Sequence, residues 1–224
     1  MAREFWISFG VGKHHRYIAA HTIAATLGPT KAPTLAVFHA FTGSDTTFFF
    51  ACIGKRTAWK TWDVFPDVTD AFSLLADAPS SIIDSTYEVL EKYVDLLYDK
   101  TCQLTQVNVA RQHLFARRSR ASENIPPTQA ALKQHILRTA YQAGHVWGQS
   151  LQKEAILPSP ANWGWHQSDG SWKPKWTTIG QAQDMCYELI HCNYRKSCRG
   201  LCKCSKASLQ CTALCRCEGN CYQE

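Results

Sequence analysis

Residues 82–99, IIDSTYEVLEKYVDLLYD, decide the fold class. Ile83, Tyr87, Leu90, Val94 and Leu97 recur at i, i+4, i+7, i+11 and i+14, which places them along one face of a helix. Asp84, Glu88, Glu91, Asp95 and Asp99 line the neighbouring face at the same spacing. Such a carboxylate stripe is expected to be a solvated helix face rather than a metal site.

Downstream, a second helix is predicted through 106–118, ending in the basic run Arg117-Arg118-Ser119-Arg120. Pro126-Pro127-Thr128 starts a third, with Thr128 as its cap. Leu132, Ile136, Ala140, Ala143, Trp147 and Leu151 run along one side of that helix. Residues 157–178 are rich in proline and tryptophan, and Ser168-Asp169-Gly170 supplies a hairpin-type turn between tryptophan pairs. Trp163, Trp165, Trp172 and Trp176 are expected to pack onto the helices rather than stack on bases.

Upstream, residues 5–10 read as a strand turning through Gly10 and Gly12, and 17–27 as a helix stopped by Gly28-Pro29. TLAVFHAF (34–41) reads as a second strand leading into Thr42-Gly43-Ser44-Asp45. The chain is therefore expected to be mainly α, with a small α/β remnant at the N-terminus and an irregular cysteine-rich module at the C-terminus. The corresponding segments are 1–66 (partial α/β), 67–156 (helical), 157–185 (a Trp/Pro-rich connector and helix) and 186–221 (cysteine-rich).

Nine of the eleven cysteines fall in that last segment: Cys186, Cys192, Cys198, Cys202, Cys204, Cys211, Cys215, Cys217 and Cys221. The spacing Cys198-x3-Cys202-x-Cys204 repeats as Cys211-x3-Cys215-x-Cys217. Nine is odd, and nothing at the start of the chain resembles a secretory leader, so metal is favoured over disulfides. Between 192 and 221 the large aliphatics are Leu201, Leu209 and Leu214. They cannot offset the ordering entropy of some thirty residues at about 1–2 kcal/mol each. Structural zinc contributes roughly 10–16 kcal/mol per ion in small modules. Three zinc ions can share nine thiolates through three bridging sulfurs, or two separate four-cysteine sites can leave Cys186 spare.

The net charge of +6 is concentrated near these cysteines. Residues 186–224 carry Arg195, Lys196, Arg199, Lys203, Lys206 and Arg216 against Glu188, Glu218 and Glu224, which is +3 in 39 residues. A compact basic tail points to a polyanionic partner. No apolar run is long enough to span a membrane, and no small-molecule site is evident. An intracellular, nuclear protein is expected.

The string HCNYRKSCRGLCKCSKASLQCTALCRCEGNC resembles the CXC cysteine-rich domains of the tesmin type, which bind zinc through clustered cysteines and contact DNA. Cys198, Cys202, Cys204, Cys211, Cys215, Cys217 and Cys221 match that pattern. It departs at Cys192-Asn193-Tyr194, where Cys-x-Cys is expected, so that Cys186 is the candidate replacement ligand. The resemblance implies zinc, two or three ions, and DNA contacts from Arg195, Lys196, Arg199, Lys203 and Lys206.

FHAFTGSDTTFFFACIGKRTAWKTW, residues 38–62, resembles the late part of a PIN or flap-endonuclease-type domain. That likeness implies Asp45 as a carboxylate ligand for magnesium and catalysis. It also implies Lys55 and Arg56 on a turn facing the nucleic-acid backbone. Residues 3–222 as a whole resemble the C-terminal part of long animal proteins dispersed as mobile-element genes are. In those proteins an Asp-x-Asp strand lies upstream of the segment that here begins at Glu4.

Two-metal phosphodiester hydrolysis needs several convergent carboxylates, and Asp45 alone does not supply them. The expectation is a zinc-binding, DNA-binding protein that is not catalytically competent alone. Alternatives are a fragment of a metal-dependent nuclease and a protein-interaction platform. His14, His15, His21 and His39 are expected to be structural, and Cys52 and Cys102 to be buried thiols.

Overall fold

The computed structural model describes residues 4–118, 125–177, 192, 202–206, 211 and 215–217. The chain divides into two units, 1–176 and 177–224. The described part of the first is mainly helical, with two small antiparallel sheets of two strands each.

The chain opens with strand β1 (Trp6–Phe9), a tight turn and strand β2 (Arg16–Ala19), paired in the register Trp6↔Ala19 to Phe9↔Arg16. Helix α1 (Ala20–Lys31) follows directly. The predicted stop at Gly28 is present as a break inside this element, where φ reaches 77°. That left-handed angle is open to glycine and interrupts the helical ladder. The predicted helix start at residue 17 gives way to β2, because β1 supplies a hydrogen-bonding partner for 16–19.

The strand expected at 34–41 is instead helix α2 (Leu35–Phe41). Its buried residues, Val37, Phe38, Ala40 and Phe41, lie at i, i+1, i+3 and i+4, which is a helical and not an alternating pattern. Short apolar runs do not separate the two by hydrophobicity alone, and tertiary cover decides.

Helices α3 (Lys55–Val64), α4 (Val68–Asp77) and α5 (Asp84–Tyr98) enclose an aromatic centre with α2. Phe38 stacks on Trp62 at 5.0 Å, Phe72 meets Trp62 edge-on at 5.3 Å, and Tyr93 meets Phe72 edge-on at 5.7 Å. Trp62 is 1% exposed, yet its Nε1–H donates to Thr69 Oγ1 at 2.9 Å. Tyr93 donates its hydroxyl to Ala58 O at 2.8 Å. Each large ring therefore enters the core with its polar atom satisfied.

Helix α5 corrects the solvated-stripe expectation. Leu90, Val94 and Leu97 are buried as predicted, whereas Ile83 is 61% exposed. Asp84 and Glu88 face solvent, but Glu91 and Asp95 are buried. The reason is cover from α6 (Val107–Arg118) and α7 (Gln129–Ala140) over the C-terminal half of α5. Glu91 accepts from Val107 N at 3.2 Å and from Gln129 Nε2 at 2.7 Å. Its negative charge thus sits at the positive end of α6 and ties α7 to the same spot.

Helix α7 begins as predicted: Thr128 Oγ1 accepts from Ala131 N at 3.2 Å. Leu132, Ile136, Ala140 and Ala143 are buried, but Trp147 is half-buried and Leu151 fully exposed. A π-helical segment at Tyr141–Val146 accounts for the change. Wider turns there rotate later residues off the predicted stripe. Gly144 lies in this segment because a Cβ would come within 2.5 Å of Leu75 O on α4. Strands β3 (Trp165–Ser168) and β4 (Ser171–Pro174) form the predicted hairpin around Asp169-Gly170. Arg138, 3% exposed, holds its base by donating to Gly164 O at 3.0 Å and Lys175 O at 2.8 Å.

Candidate metal centre

The second unit brings distant cysteines together. Cys192, Cys204, Cys211 and Cys215 place their Sγ atoms all within 4.8 Å of one another. Cys192 to Cys211 is 3.7 Å and Cys204 to Cys215 is 3.6 Å. A disulfide requires about 2.05 Å, and none links the described cysteines to one another. Tetrahedral zinc with Zn–S near 2.3 Å puts its sulfurs about 3.8 Å apart. These two contacts match that figure and all four sulfurs lie within 4.8 Å, so the four residues could hold a zinc ion. Among the described residues this is the one set of three or more Cys, His, Asp or Glu placed to hold a metal.

A fifth sulfur adjoins the set. Cys202 Sγ lies 3.7 Å from Cys211 Sγ, so Cys211 touches sulfurs on two sides. Cys192, Cys202, Cys204, Cys215 and Cys217 are buried and Cys211 is half-buried. Backbone amides point at the sulfurs: Cys192 N donates to Cys215 Sγ at 3.4 Å, and Ser205 N to Cys202 Sγ at 3.3 Å. The single helical turn Lys203–Lys206 bends the Cys202-x-Cys204 pair around the centre, and Arg216 N donates to Cys192 O at 3.0 Å. Amide donors of this kind favour thiolate over thiol.

Burial, followed by the neighbouring Cys215, pushes the Cys204 thiol up to about 12. The Cys204 thiol therefore holds its proton until a cation enters. A divalent ion reverses that preference and deprotonates its thiol ligands.

Of the nine predicted ligands, Cys192, Cys202, Cys204, Cys211, Cys215 and Cys217 are described and cluster here. Cys186, Cys198 and Cys221 lie outside the described residues, as do Arg195, Lys196 and Arg199. Lys206 is exposed, and Lys203 is described in its backbone alone.

In the first unit, Asp45 is exposed and stands in no group of three metal-ligating side chains among the described residues. Ser44, not Asp45, organises the turn: its Oγ bonds Thr47 Oγ1 at 2.8 Å, and Thr47 Oγ1 donates to Ala40 O at 2.5 Å. Lys55 donates to His39 O, Thr42 Oγ1 and Gly43 O at 3.0, 2.9 and 2.6 Å. Its ammonium thus binds the carbonyl end of α2, a helix-terminus role the sequence reading missed. Arg56 is exposed beside it. Cys52 is exposed and Cys102 half-buried, which corrects the expectation of two buried thiols. His15 bonds Ser8, and His21 bonds the Phe5 backbone.

His135 is a further polar residue that hydrophobic periodicity hid. It is 7% exposed, its Nε2 lies 2.8 Å from Phe41 O, and burial holds it down to about 4, so it stays neutral. The distance requires Nε2–H as the donor. No family model, curated protein or solved structure matches the chain.

Proposed function

We propose that this protein is a zinc-organised nucleic-acid-binding module, acting on DNA in the nucleus and not catalytically competent alone. The observation that carries the reading is the cluster of four sulfurs, all within 4.8 Å of one another and with two contacts of 3.6 and 3.7 Å near zinc spacing, in a segment with little aliphatic core. Cys211, touching both Cys192 and Cys202, supports a bridging thiolate and so a shared cluster of two or three ions. Lys206 and Arg216 are exposed beside the buried sulfurs, where they balance the thiolate charge and face a phosphate backbone. The reading includes descent from a mobile-element-like gene, with residues 1–66 as a remnant of a PIN-type segment. Magnesium at Asp45 belongs to it only where further carboxylates are supplied.

Native mass spectrometry of the purified chain, followed by anisotropy titration of a labelled duplex over a range of salt, tests it. Two or three zinc ions are expected, and affinity that falls log-linearly with salt. A metal-free protein, or no binding at low ionic strength, overturns the reading. Magnesium-dependent cleavage lost in Asp45→Ala would replace it with a nuclease.

A further inference from the structure

The hairpin β1–β2 is apolar on both faces and exposed on both. Trp6 and Tyr17 lie on one face, at 53% and 67% exposed; Phe5, Ile7 and Phe9 lie on the other, at 62%, 44% and 54%. A strand with apolar residues on both sides belongs inside a larger sheet, and a lone two-stranded ribbon is marginal in water. Among the described residues, β1 pairs with β2 alone. We infer that the free edge of β1 pairs antiparallel with β1 of a second copy of this chain, making a four-stranded sheet across a two-fold axis.

The backbone fixes the register of that pairing. Phe5 O accepts from Ala20 N at 2.9 Å, so the amides of Phe5, Ile7 and Phe9 point towards β2. By alternation, the N–H and C=O groups of Trp6 and Ser8 point to the open edge. Two copies of that edge satisfy each other when Trp6 pairs with the partner's Ser8, which puts the axis at Ile7. Ile7 then faces the partner's Ile7, and Phe5 faces the partner's Phe9, in non-hydrogen-bonded pairs where side chains approach most closely. All three apolar contacts fall on one face.

Charge agrees with this direction. Antiparallel pairing sets Glu4 opposite the partner's Gly10, beside a turn carrying Lys13, His14 and His15. The two-fold repeats the match at the other end, as an isologous interface requires. Phe5 and Phe9, 62% and 54% exposed, are the aromatic rings that meet their counterparts across the axis, on the same face as Ile7.

Sedimentation velocity on the zinc-loaded full chain, from about 1 to about 100 μM, tests this. The wild type is expected to form a dimer, and Ile7→Lys, which opposes two ammonium groups across the axis, to weaken it at least tenfold. Glu4→Lys is expected to weaken it also, and Glu4→Lys combined with Lys13→Glu to restore it. Unchanged tryptophan-detected melting of Ile7→Lys shows that the fold survives the substitution. A wild type that stays monomeric overturns the inference, as does a dimer indifferent to Ile7→Lys, which would place self-association elsewhere. A monomer that instead captures a peptide strand on this edge also overturns it.

Discussion

Asp95 is 0% exposed, and neither carboxylate oxygen has a hydrogen-bond partner. Burial first, then the neighbouring Glu91, pushes its carboxyl up to about 7, with Lys92 opposing. Below about 3.8 the folded and unfolded chains both hold the proton. Between about 3.8 and about 7 the folded state alone holds it, so stability falls as pH rises; above about 7 both are ionised and the curve is flat. A difference of about three units corresponds to roughly 4 kcal/mol in all, at 1.36 kcal/mol per unit. The part lost between pH 5 and 8 is roughly 3 kcal/mol. For a unit of this size that lowers Tm by roughly 6–10 °C.

The perturbation is Asp95→Asn, which keeps the shape and removes the titration. All eight tryptophans lie at or before residue 176, so tryptophan fluorescence during urea or thermal unfolding reports the first unit without interference from the cysteine centre. The wild type should lose stability from pH 5 to 8, and Asp95→Asn should be flat there. An equal slope in both proteins, or a wild type that gains stability over this range, refutes the buried neutral carboxyl.

Four other outcomes follow from single contacts. Thr128→Ala removes the acceptor for Ala131 N and should cost about 1 kcal/mol in urea unfolding. Arg138→Met strands the Gly164 and Lys175 carbonyls at the base of the β3–β4 hairpin and should cost about 2–3 kcal/mol, with a blue-to-red shift in Trp163 and Trp165 emission. Gly144→Ala drives a methyl against Leu75 O and should cost about 1–3 kcal/mol. Cys204→Ala should lower bound zinc in metal analysis and expose the second unit to limited proteolysis, while the melting of the first unit stays unchanged.

The helices were legible where local signals and burial agreed. Thr128 caps its helix, Gly28 breaks α1, and Asp169-Gly170 turns a hairpin, because each depends on backbone geometry within a few residues. The cysteine centre was legible for a related reason: thiolate spacing is a local pattern with few alternative uses. Its partition into sites was not, since Cys192 and Cys211 meet across nineteen residues of chain.

The misreadings share one cause, which is cover supplied from far away in sequence. Residues 34–41 are as apolar as a buried strand, and become a helix because Phe38 and Phe41 find Trp62, Phe72 and Tyr93 around them. Glu91 and Asp95 continue a stripe that starts in solvent, and only the arrival of α6 and α7 takes them inside. The three oxygen acceptors of the exposed Lys55 likewise come from the end of α2, a contact that no local pattern announces. Polar residues drawn inside in this way must either be paired, as Glu91 and His135 are, or give up their charge. Asp95 takes the second course, and the first unit carries the resulting pH dependence in its core.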